Sequence, residues 1–301
     1  MMKSQTREQE PRFSRRTTHL LMVRPVRFGY NEQTAESNAF QQENTRFSPE
    51  QLQEKALAEF DAFVALLRDA GVTVSVFDDR PEPHTPDSIF PNNWISFHDD
   101  GVIVLYPMYA PNRRLERRGG TFAPFGRPPR GRGGALASFE RGGLFLSGTG
   151  SMILDRDQMI AYACISPRTS PALFERFCAD MGYEGMLFHA TDAKGVAVYH
   201  TNVMMALGDR LVVICLDAIA DPQERERVEE KLHATEKTLL PISFVQMNAF
   251  AGNMLEVFDK AGEPLWVMSR RAFDSLDEFQ RQVIRAHGNI LVIPLNVIET
   301  Y

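Results

Sequence analysis

The sequence repeats one supersecondary pattern four times, and this repeat limits the fold more than any other feature of the chain. In each copy, two β-rich runs flank a turn that contains Asp or Gly, which predicts a β-hairpin. The four predicted hairpins span 94–108, 152–164, 203–216 and 254–268. A small polar residue precedes each hairpin, and successive ones stand 58, 51 and 51 residues apart: Asn93, Ser151, Asn202 and Asn253. A regular period of this length is typical of a stacked or radial array of similar units.

Helices and further strands complete the repeating unit. A helix and a short apolar strand are predicted after each of the last three hairpins, with the helices over 170–181, 221–235 and 272–287. The chain before the first hairpin reads strand, helix, strand, and Ser48 caps a helix over 48–70. Each unit alone leaves apolar faces in water, and closing the units into a ring buries those faces. Ring closure also brings the start of every hairpin to one end of a common axis.

Charge and composition exclude several classes of partner. The formal net charge of −6 disfavours nucleic acid and anionic membranes, because both select basic surfaces. No apolar run approaches the roughly 20 residues that span a bilayer, and the polar N-terminal residues do not form a secretory signal. Three widely spaced cysteines, Cys164, Cys178 and Cys215, form no paired-cysteine metal motif and fit a reduced compartment. We therefore expect a cytoplasmic protein with neither a nucleic-acid nor a membrane partner.

The polar segments that ring closure assembles form a candidate site. They span 86–93, 147–151, 199–202 and 250–253, and we call them the pre-hairpin segments. Among them they hold the carboxylate of Asp87, the imidazole of His200 and several amides. A carboxylate can accept two N–H bonds from one edge of a guanidinium or ureido group, and an imidazole can carry the proton that a leaving nitrogen needs. The segments therefore predict a pocket for a planar, nitrogen-rich head group.

At these residues the sequence resembles the guanidine-modifying superfamily, which contains arginine deiminases, dimethylarginine dimethylaminohydrolases and amidinotransferases. It is most similar to the branch of citrulline-utilisation hydrolases. The resemblance covers nearly all of 18–300 except a Gly/Arg-rich tract. Its blocks keep the family order: MVRPVRFGYNEQTAESNAFQ (22–41), PDSIFPNNWISFH (86–98), YPMYAPNRRLERR (106–118), GTGSMILDR (148–156), AYACISPRT (161–169), YHTNVMM (199–205) and FAGNMLEV (250–257).

The resemblance implies an α/β fold, namely a five-bladed α/β propeller of pseudo-fivefold ββαβ modules. We expect a disordered leader over 1–17, followed by a single propeller domain over 18–301 whose last module is incomplete. The implied chemistry is hydrolysis of a C–N bond in the guanidino or ureido group of an arginine-like amino acid, with citrulline to ornithine as the leading reaction. A cysteine attacks the sp² carbon, ammonia or an amine leaves, and water releases the product. No metal or organic cofactor is implied.

Position in the family motifs implies a role for each site residue. Asp87 binds the substrate nitrogens, and His200 is the general acid/base. Arg168 pairs with the α-carboxylate of the amino acid, and Asn202 stands where related branches keep an aspartate. The other residues expected to bind substrate or line the pocket are Arg24, Phe40, Gln41, Asn93, Ser147 and Asn253.

Two positions depart from the family pattern. Ser147 stands where this branch carries a glutamate, and a serine hydroxyl cannot replace the charge of that carboxylate. The nucleophilic cysteine belongs to a Gly-rich segment soon after the block that reads Val-Ile-Glu at 297–299, so we expect it beyond Tyr301. The repeat gives the same position, because one more period of 51 after Asn253 ends near 304. The expectation is that the chain either continues past Tyr301 or has lost its nucleophile.

Other signals have simpler structural interpretations. The three cysteines lie in predicted apolar strands or a helix, where thiols are usually inert core residues. The GTGS block lacks the GK[ST] of a phosphate loop. The charged run NRRLERR at 112–118 is interpreted as a solvated helix face, and the Gly/Arg-rich tract within 119–143 as a mobile surface loop whose role stays open.

Three functions stay open on the sequence. The first is the hydrolase, and the second is a non-catalytic binding or regulatory protein that has lost the nucleophile and one carboxylate. The third is an amidinotransferase, in which an amine rather than water resolves the covalent intermediate. The partner in each case is a small-molecule amino acid, and self-association into a homo-oligomer is compatible with all three.

Overall fold

The computed structural model describes residues 16–35, 38, 41, 43, 46–98, 101–117 and 136–301. These residues adopt a mixed α/β fold of small sheets and helices. Among them, no helix combines the length and the apolar character of a membrane-spanning segment. Phe40, most of the 1–17 leader and the greater part of the 119–143 tract lie outside the described residues.

The described strands form five separate sheets of two or three strands each. The first sheet pairs β1 (His19–Arg24) with β2 (Thr73–Asp78) in parallel, and the second pairs β3 (Ile95–Phe97) with β4 (Ile103–Leu105) antiparallel. Each of the other three sheets joins an antiparallel hairpin to a parallel third strand. Their strands are β5 (Ile153–Asp155), β6 (Ile160–Cys164), β7 (Glu184–Phe188), β8 (Met205–Leu207), β9 (Leu211–Ile214), β10 (Thr238–Pro241), β11 (Leu255–Phe258), β12 (Pro264–Ser269) and β13 (Asn289–Ile293).

Five of the described helices begin at a residue whose side chain caps the first turn. The longest, α2 (Pro49–Asp69), starts at Ser48, whose side chain accepts the backbone N–H of Gln51 in a capping box. Helical segments connect the hairpins of the last three sheets to their parallel strands, which gives the predicted ββαβ order. The other α-helices are α1 (Glu32–Ala35), α3 (Pro111–Arg114), α4 (Gly148–Ser151), α5 (Pro171–Met181), α6 (Pro222–His233), α7 (Phe244–Asn248), α8 (Arg270–Ser275) and α9 (Glu278–His287).

The four predicted hairpins are confirmed. One predicted helix is wrong, because the structure has two shorter helices in its place. The segment 272–287 contains the end of α8 and all of α9, with a break at Leu276 and Asp277. The Asp277 carboxylate accepts the N–H of Gln280 at 2.7 Å, so it starts a new helix instead of continuing the old one.

Buried apolar side chains join each sheet to its neighbours. The first two sheets share one buried cluster around Trp94, and the second and third share another that includes Val104 and Ala161. The third, fourth and fifth sheets meet in the largest cluster. The fifth sheet also packs against the first, because Val257 lies in one cluster with Val74 and the apolar face of α2. The first and last parts of the described chain therefore contact each other through apolar packing.

Candidate functional site

One cavity of about 900 Å³ is lined by residues from all five sheets. The strand that follows each pre-hairpin segment, namely β3, β5, β8 and β11, lines it together with β1. The cavity wall also contains residues of every pre-hairpin segment and the predicted site residues Asp87, Asn93, Arg168 and His200. The segments that the repeat singles out therefore meet around a shared cavity.

Hydrogen bonds join successive pre-hairpin segments. In each case a side-chain donor of one segment bonds to a backbone carbonyl of the segment before it. The three bonds are Thr149 Oγ1 to Asn92 O at 3.3 Å, Thr201 Oγ1 to Ser151 O at 2.5 Å and Asn253 Nδ2 to Asn202 O at 2.9 Å. These contacts hold four segments, spread over more than 160 residues of sequence, at one end of the cavity.

Asp87 is held in place by two neighbours. Its carboxylate Oδ2 accepts a 2.7 Å hydrogen bond from Asn31 Nδ2 and lies 3.6 Å from Arg113 Nε. Only 8% of the residue surface is exposed. A carboxylate fixed in this way on the cavity wall offers a negative charge to a cationic or N–H-rich ligand.

Arg113 and Glu116 form a buried ion pair that the sequence interpretation missed. The run NRRLERR was read as a solvated helix face, which is wrong for these two residues: they are 3% and 5% exposed. Arg113 Nε and Nη2 donate to the two Glu116 oxygens at 2.9 and 3.0 Å. The local sequence gives no signal that separates buried Arg113 from the half-exposed Arg114 beside it, because the burial comes from the distant segment around Asp87.

His200 is buried and neutral. Its pKa lies well below the usual range because burial disfavours the imidazolium, and the positive charges of Arg168 and Arg113 disfavour it further. Within the described part of the chain, its Nε2 atom is buried without a hydrogen-bond partner. A neutral imidazole on a cavity wall can accept a proton at neutral pH.

Asn93 and His200 come together at Gly150. A Cβ atom on residue 150 would lie 2.5 Å from Asn93 Nδ2 and 2.9 Å from His200 Nδ1, so only glycine leaves room for both side chains. Arg113 Nη1 donates to Asn93 Oδ1 at 2.6 Å, which turns the Asn93 amide nitrogen toward His200.

Arg168 lies on the same cavity wall. The residue is 4% exposed, its guanidinium stacks over the Tyr199 ring at 4.7 Å, and its Nη2 donates to Thr34 O at 3.1 Å. Burial lowers its pKa from the ordinary arginine value, and the guanidinium stays charged at neutral pH. It provides a fixed positive charge on the wall that also carries the carboxylate of Asp87.

The remaining predicted site residues divide into three groups. Gln41, Asn202 and Asn253 line the cavity. Arg24 and Ser147 are not among the lining residues: Arg24 forms a two-bond ion pair with Asp61 at 2.7 and 2.8 Å, and Ser147 is 1% exposed at the start of α4. Phe40 lies outside the described residues, so its pocket role stays a prediction.

None of the three cysteines lines the cavity. Burial raises the pKa of Cys164 and Cys215 to about 11 and that of Cys178 to about 12. All three are therefore protonated thiols at neutral pH, and thiols are poor nucleophiles. Within the described residues, no cluster of three His, Cys, Asp or Glu side chains is arranged as metal ligands would be.

The segment 296–301 reaches the cavity. The Glu59 carboxylate on α2 accepts the backbone N–H groups of Asn296, Val297 and Ile298 at 2.9 to 3.0 Å. Gln41 Nε2 donates to the Tyr301 carbonyl at 2.9 Å, and Tyr301 itself lies on the cavity wall. Two side chains therefore fix the path of this segment along the cavity.

Comparison with known sequences identifies one matching family. The profile of the family described as N,N dimethylarginine dimethylhydrolase, eukaryotic, matches residues 24–301. No curated protein sequence matches the chain significantly.

Several solved structures share the fold of this chain. The N-terminal domain of ArgZ, an arginine dihydrolase from cyanobacteria, solved as a cysteine-to-serine mutant bound to substrate, is 16% identical over 93% of each chain with a TM-score of 0.67. DDAH from Pseudomonas aeruginosa, a cysteine-to-serine mutant complexed with citrulline, is 13% identical over 93% of this chain and 92% of that chain, with a TM-score of 0.59. Unliganded AgrE is 15% identical with a TM-score of 0.65, and the match covers 93% of this chain and 37% of AgrE. This chain likewise spans only 38% of the apo ArgZ chain.

Proposed function

Because the chain belongs to the family described as N,N dimethylarginine dimethylhydrolase, eukaryotic, we propose that it hydrolyses a C–N bond in the guanidino or ureido group of an arginine-like amino acid. One observation carries the proposal: Asp87, Arg168 and His200 lie on the wall of one cavity, although the first and the last of them are 113 residues apart in the sequence. The ligands bound in the similar solved structures, which include citrulline and a substrate of an arginine dihydrolase, support the same ligand class.

A five-bladed α/β propeller is the architecture that we propose for this function. Two observations support ring closure: every sheet packs against two neighbours, including the fifth against the first, and one cavity is lined by a strand from each sheet. The hydrogen bonds between successive pre-hairpin segments also support a common axis. Such an axis is what brings the site residues together.

The charges on the cavity wall suggest how an amino acid binds. The carboxylate of Asp87 accepts N–H bonds from the guanidino or ureido head group. Arg168, a fixed and buried cation, pairs with the α-carboxylate. The amides of Asn93, Asn202 and Asn253 offer further donors and acceptors along the wall. The opposite charges of Asp87 and Arg168 thus orient the ligand along the cavity.

The proposed chemistry uses a cysteine and His200. A thiol gives its proton to the neutral imidazole, and the resulting thiolate bonds to the sp² carbon of the head group. The C–N bond then breaks, and the leaving nitrogen takes the proton from the imidazolium. Water, deprotonated by the same imidazole, next attacks the carbon and releases the thiol. For citrulline the sum is citrulline plus water giving ornithine, carbon dioxide and ammonia.

None of the described cysteines supplies this thiol, since all three are buried away from the cavity. We propose that a residue following Tyr301 supplies it. Tyr301 lies on the cavity wall and is tied to Gln41, so a residue shortly after it in a longer chain enters the same cavity. The Glu59 anchor supports the same path.

A non-catalytic binding protein is the second candidate, and one observation favours it. Ser147 stands where the related branch has a glutamate and is buried without lining the cavity, so the pocket holds one carboxylate fewer. This candidate is supported if the protein from the complete reading frame binds a ligand and does not turn it over.

Two further predictions from the sequence concern the whole protein: a cytoplasmic location and a homo-oligomer.

The deciding experiment combines turnover and binding. Protein from the complete reading frame is incubated with citrulline, arginine and N,N-dimethylarginine, and ornithine and citrulline are quantified by mass spectrometry with and without added glycine. Calorimetry measures the affinity of each ligand. Asp87→Asn should weaken binding at least tenfold, about 1.4 kcal/mol, whereas the matched control Asp61→Asn, on the exposed pair with Arg24, should not. Neither turnover nor binding of any of the three ligands would reject the hydrolase and the binding protein alike.

A further inference from the structure

We propose that Glu116 is a positioning residue of the candidate site and acts on His200 and the Asp87 loop through Arg113. Glu116 itself is not among the residues that line the cavity, whereas Arg113 is. The inference rests on the proposed function, because it assigns a part in ligand binding to a residue that does not touch the ligand.

The first link is the fork between Glu116 and Arg113. Both carboxylate oxygens accept from the guanidinium, at 2.9 and 3.0 Å, and the two side chains are only 2% and 4% exposed. Two parallel bonds fix the plane of the guanidinium as well as its position. Removing the charge of Glu116 therefore takes away the carboxylate nearest to the buried guanidinium of Arg113, since that of Asp87 lies farther off at 3.6 Å.

The second link runs from Arg113 to the site. Its Nη1 donates to Asn93 Oδ1 at 2.6 Å, and its Nη2 donates to the carbonyls of Asp87 and Phe90 at 3.3 and 3.1 Å. Arg113 therefore ties together both ends of the segment that presents the Asp87 carboxylate. It also sets the orientation of the Asn93 amide, whose nitrogen faces His200 across Gly150.

The third link is electrostatic. The charge of Arg113 lowers the pKa of His200, and the carboxylate of Glu116 raises the pKa of Arg113 and so stabilises that charge. The charged groups that act on Glu116 are Arg113 on α3, Asp87 on the loop before β3, and Asp79 after β2. Burial raises the pKa of Glu116 to about 7 against the opposing effect of Arg113. Protonation of Glu116 near neutral pH therefore weakens the hydrogen bonds that fix Arg113 and changes the electrostatic potential at His200.

The first test uses ligand-free protein, so it does not depend on turnover. The ring-proton signal of His200, assigned by its loss in His200→Gln, is followed by NMR from pH 5.5 to 8.5. We expect an inflection near pH 7 that reports Glu116, although the imidazole stays neutral. This inflection should vanish in Glu116→Gln and persist in Glu140→Gln.

Glu140 is a matched control from the same part of the chain. It is also paired with an arginine, because Arg117 Nη2 donates to both of its oxygens at 2.7 Å, but it is not among the cavity-lining residues. Arg113→Lys serves as a second variant, because it keeps the positive charge and removes the fork. It should shift the His200 signal as Glu116→Gln does.

The second test is the affinity for citrulline and arginine. Glu116→Gln should weaken binding about tenfold, with a flatter dependence on pH between 6 and 8, and Glu140→Gln should bind as the wild type does. Either of two results overturns the proposal. One is a wild-type titration without an inflection near pH 7, and the other is a Glu116→Gln protein whose His200 signal and ligand affinity are both unchanged. In a third result, the wild type shows the inflection and binds neither ligand. The electrostatic coupling of Glu116 to His200 then stands, but the proposed function fails, and so does the role in ligand binding assigned to Glu116.

Discussion

Asn93 and His200 approach each other so closely at Gly150 that a single methyl group between them has no room. The Cβ of an alanine at 150 would lie 2.5 Å from Asn93 Nδ2 and 2.9 Å from His200 Nδ1. Asn93 precedes β3, Gly150 precedes β5 and His200 precedes β8, so one contact joins the segments that lead into three successive sheets. The packing of these segments and the geometry of the candidate site therefore both depend on the contact of Gly150 with the Asn93 and His200 side chains.

Gly150→Ala should consequently damage the site more than the fold. The added methyl group has to displace the Asn93 amide or the His200 ring, and overpacking of this kind costs about 1–3 kcal/mol. We expect citrulline and arginine affinity to fall at least tenfold in calorimetry, while the circular dichroism spectrum stays native. Gly142→Ala is the control, because a Cβ atom there has no heavy atom within 4 Å. Unchanged affinity in Gly150→Ala would show that Asn93 and His200 do not bind ligand together.

Arg168 should select ligands that carry an α-carboxylate. The wild type should prefer arginine to agmatine, which lacks that carboxylate, because the buried guanidinium of Arg168 pairs with the α-carboxylate of the ligand. Arg168→Met should remove this preference by weakening arginine binding by about 1.5–3 kcal/mol and leaving agmatine binding little changed. Arg176→Met is the matched control, since Arg176 lies exposed on α5 and pairs with Asp180. Equal losses for both ligands would instead place Arg168 in a structural role.

The repeating architecture was predictable because its signals are local. A turn residue between two β-rich runs specifies a hairpin, and Ser48 followed by proline specifies the start of α2, without knowledge of distant contacts. The break between α8 and α9 had a local signal too, the capping box of Asp277 and Gln280, which the helical pattern of 272–287 concealed. The period near 50 residues then pointed to the segments that carry Asp87 and His200.

The buried ion pair was not predictable for the opposite reason. Arg113 and Glu116 lie in a run of charges whose ordinary place is a solvated helix face, and nothing within that run marks them as buried. Their burial follows from the packing of α3 against the Asp87 loop, which lies more than 20 residues earlier in the chain. The placement of Arg24 on an exposed pair with Asp61 likewise depends on where α2 packs beside β1.

Glu59 should control the position of the last described segment. Its carboxylate accepts the N–H groups of residues 296–298, and an amide side chain offers a single neutral acceptor in its place. Glu59→Gln should lower the free energy of unfolding by about 1–3 kcal/mol. Hydrogen exchange of the amides of 296–298 should accelerate at least tenfold, whereas Glu54→Gln, on the exposed face of α2, should leave exchange unchanged. Slow exchange in Glu59→Gln would mean that packing around Val297 alone fixes the segment.

His200 should make the protein less stable in mild acid. Its folded-state pKa lies well below the value near 6.5 of an unfolded chain, because burial and the charges of Arg168 and Arg113 oppose protonation. Below that unfolded value the unfolded chain binds one more proton than the folded protein does. The free energy of unfolding therefore falls as pH drops, by up to about 1.4 kcal/mol per pH unit. Urea unfolding of His200→Gln should show a smaller loss of stability between pH 7 and pH 5 than the wild type. Parallel curves for the wild type and His200→Gln would mean that His200 accepts a proton in the folded state and is not held neutral by its surroundings.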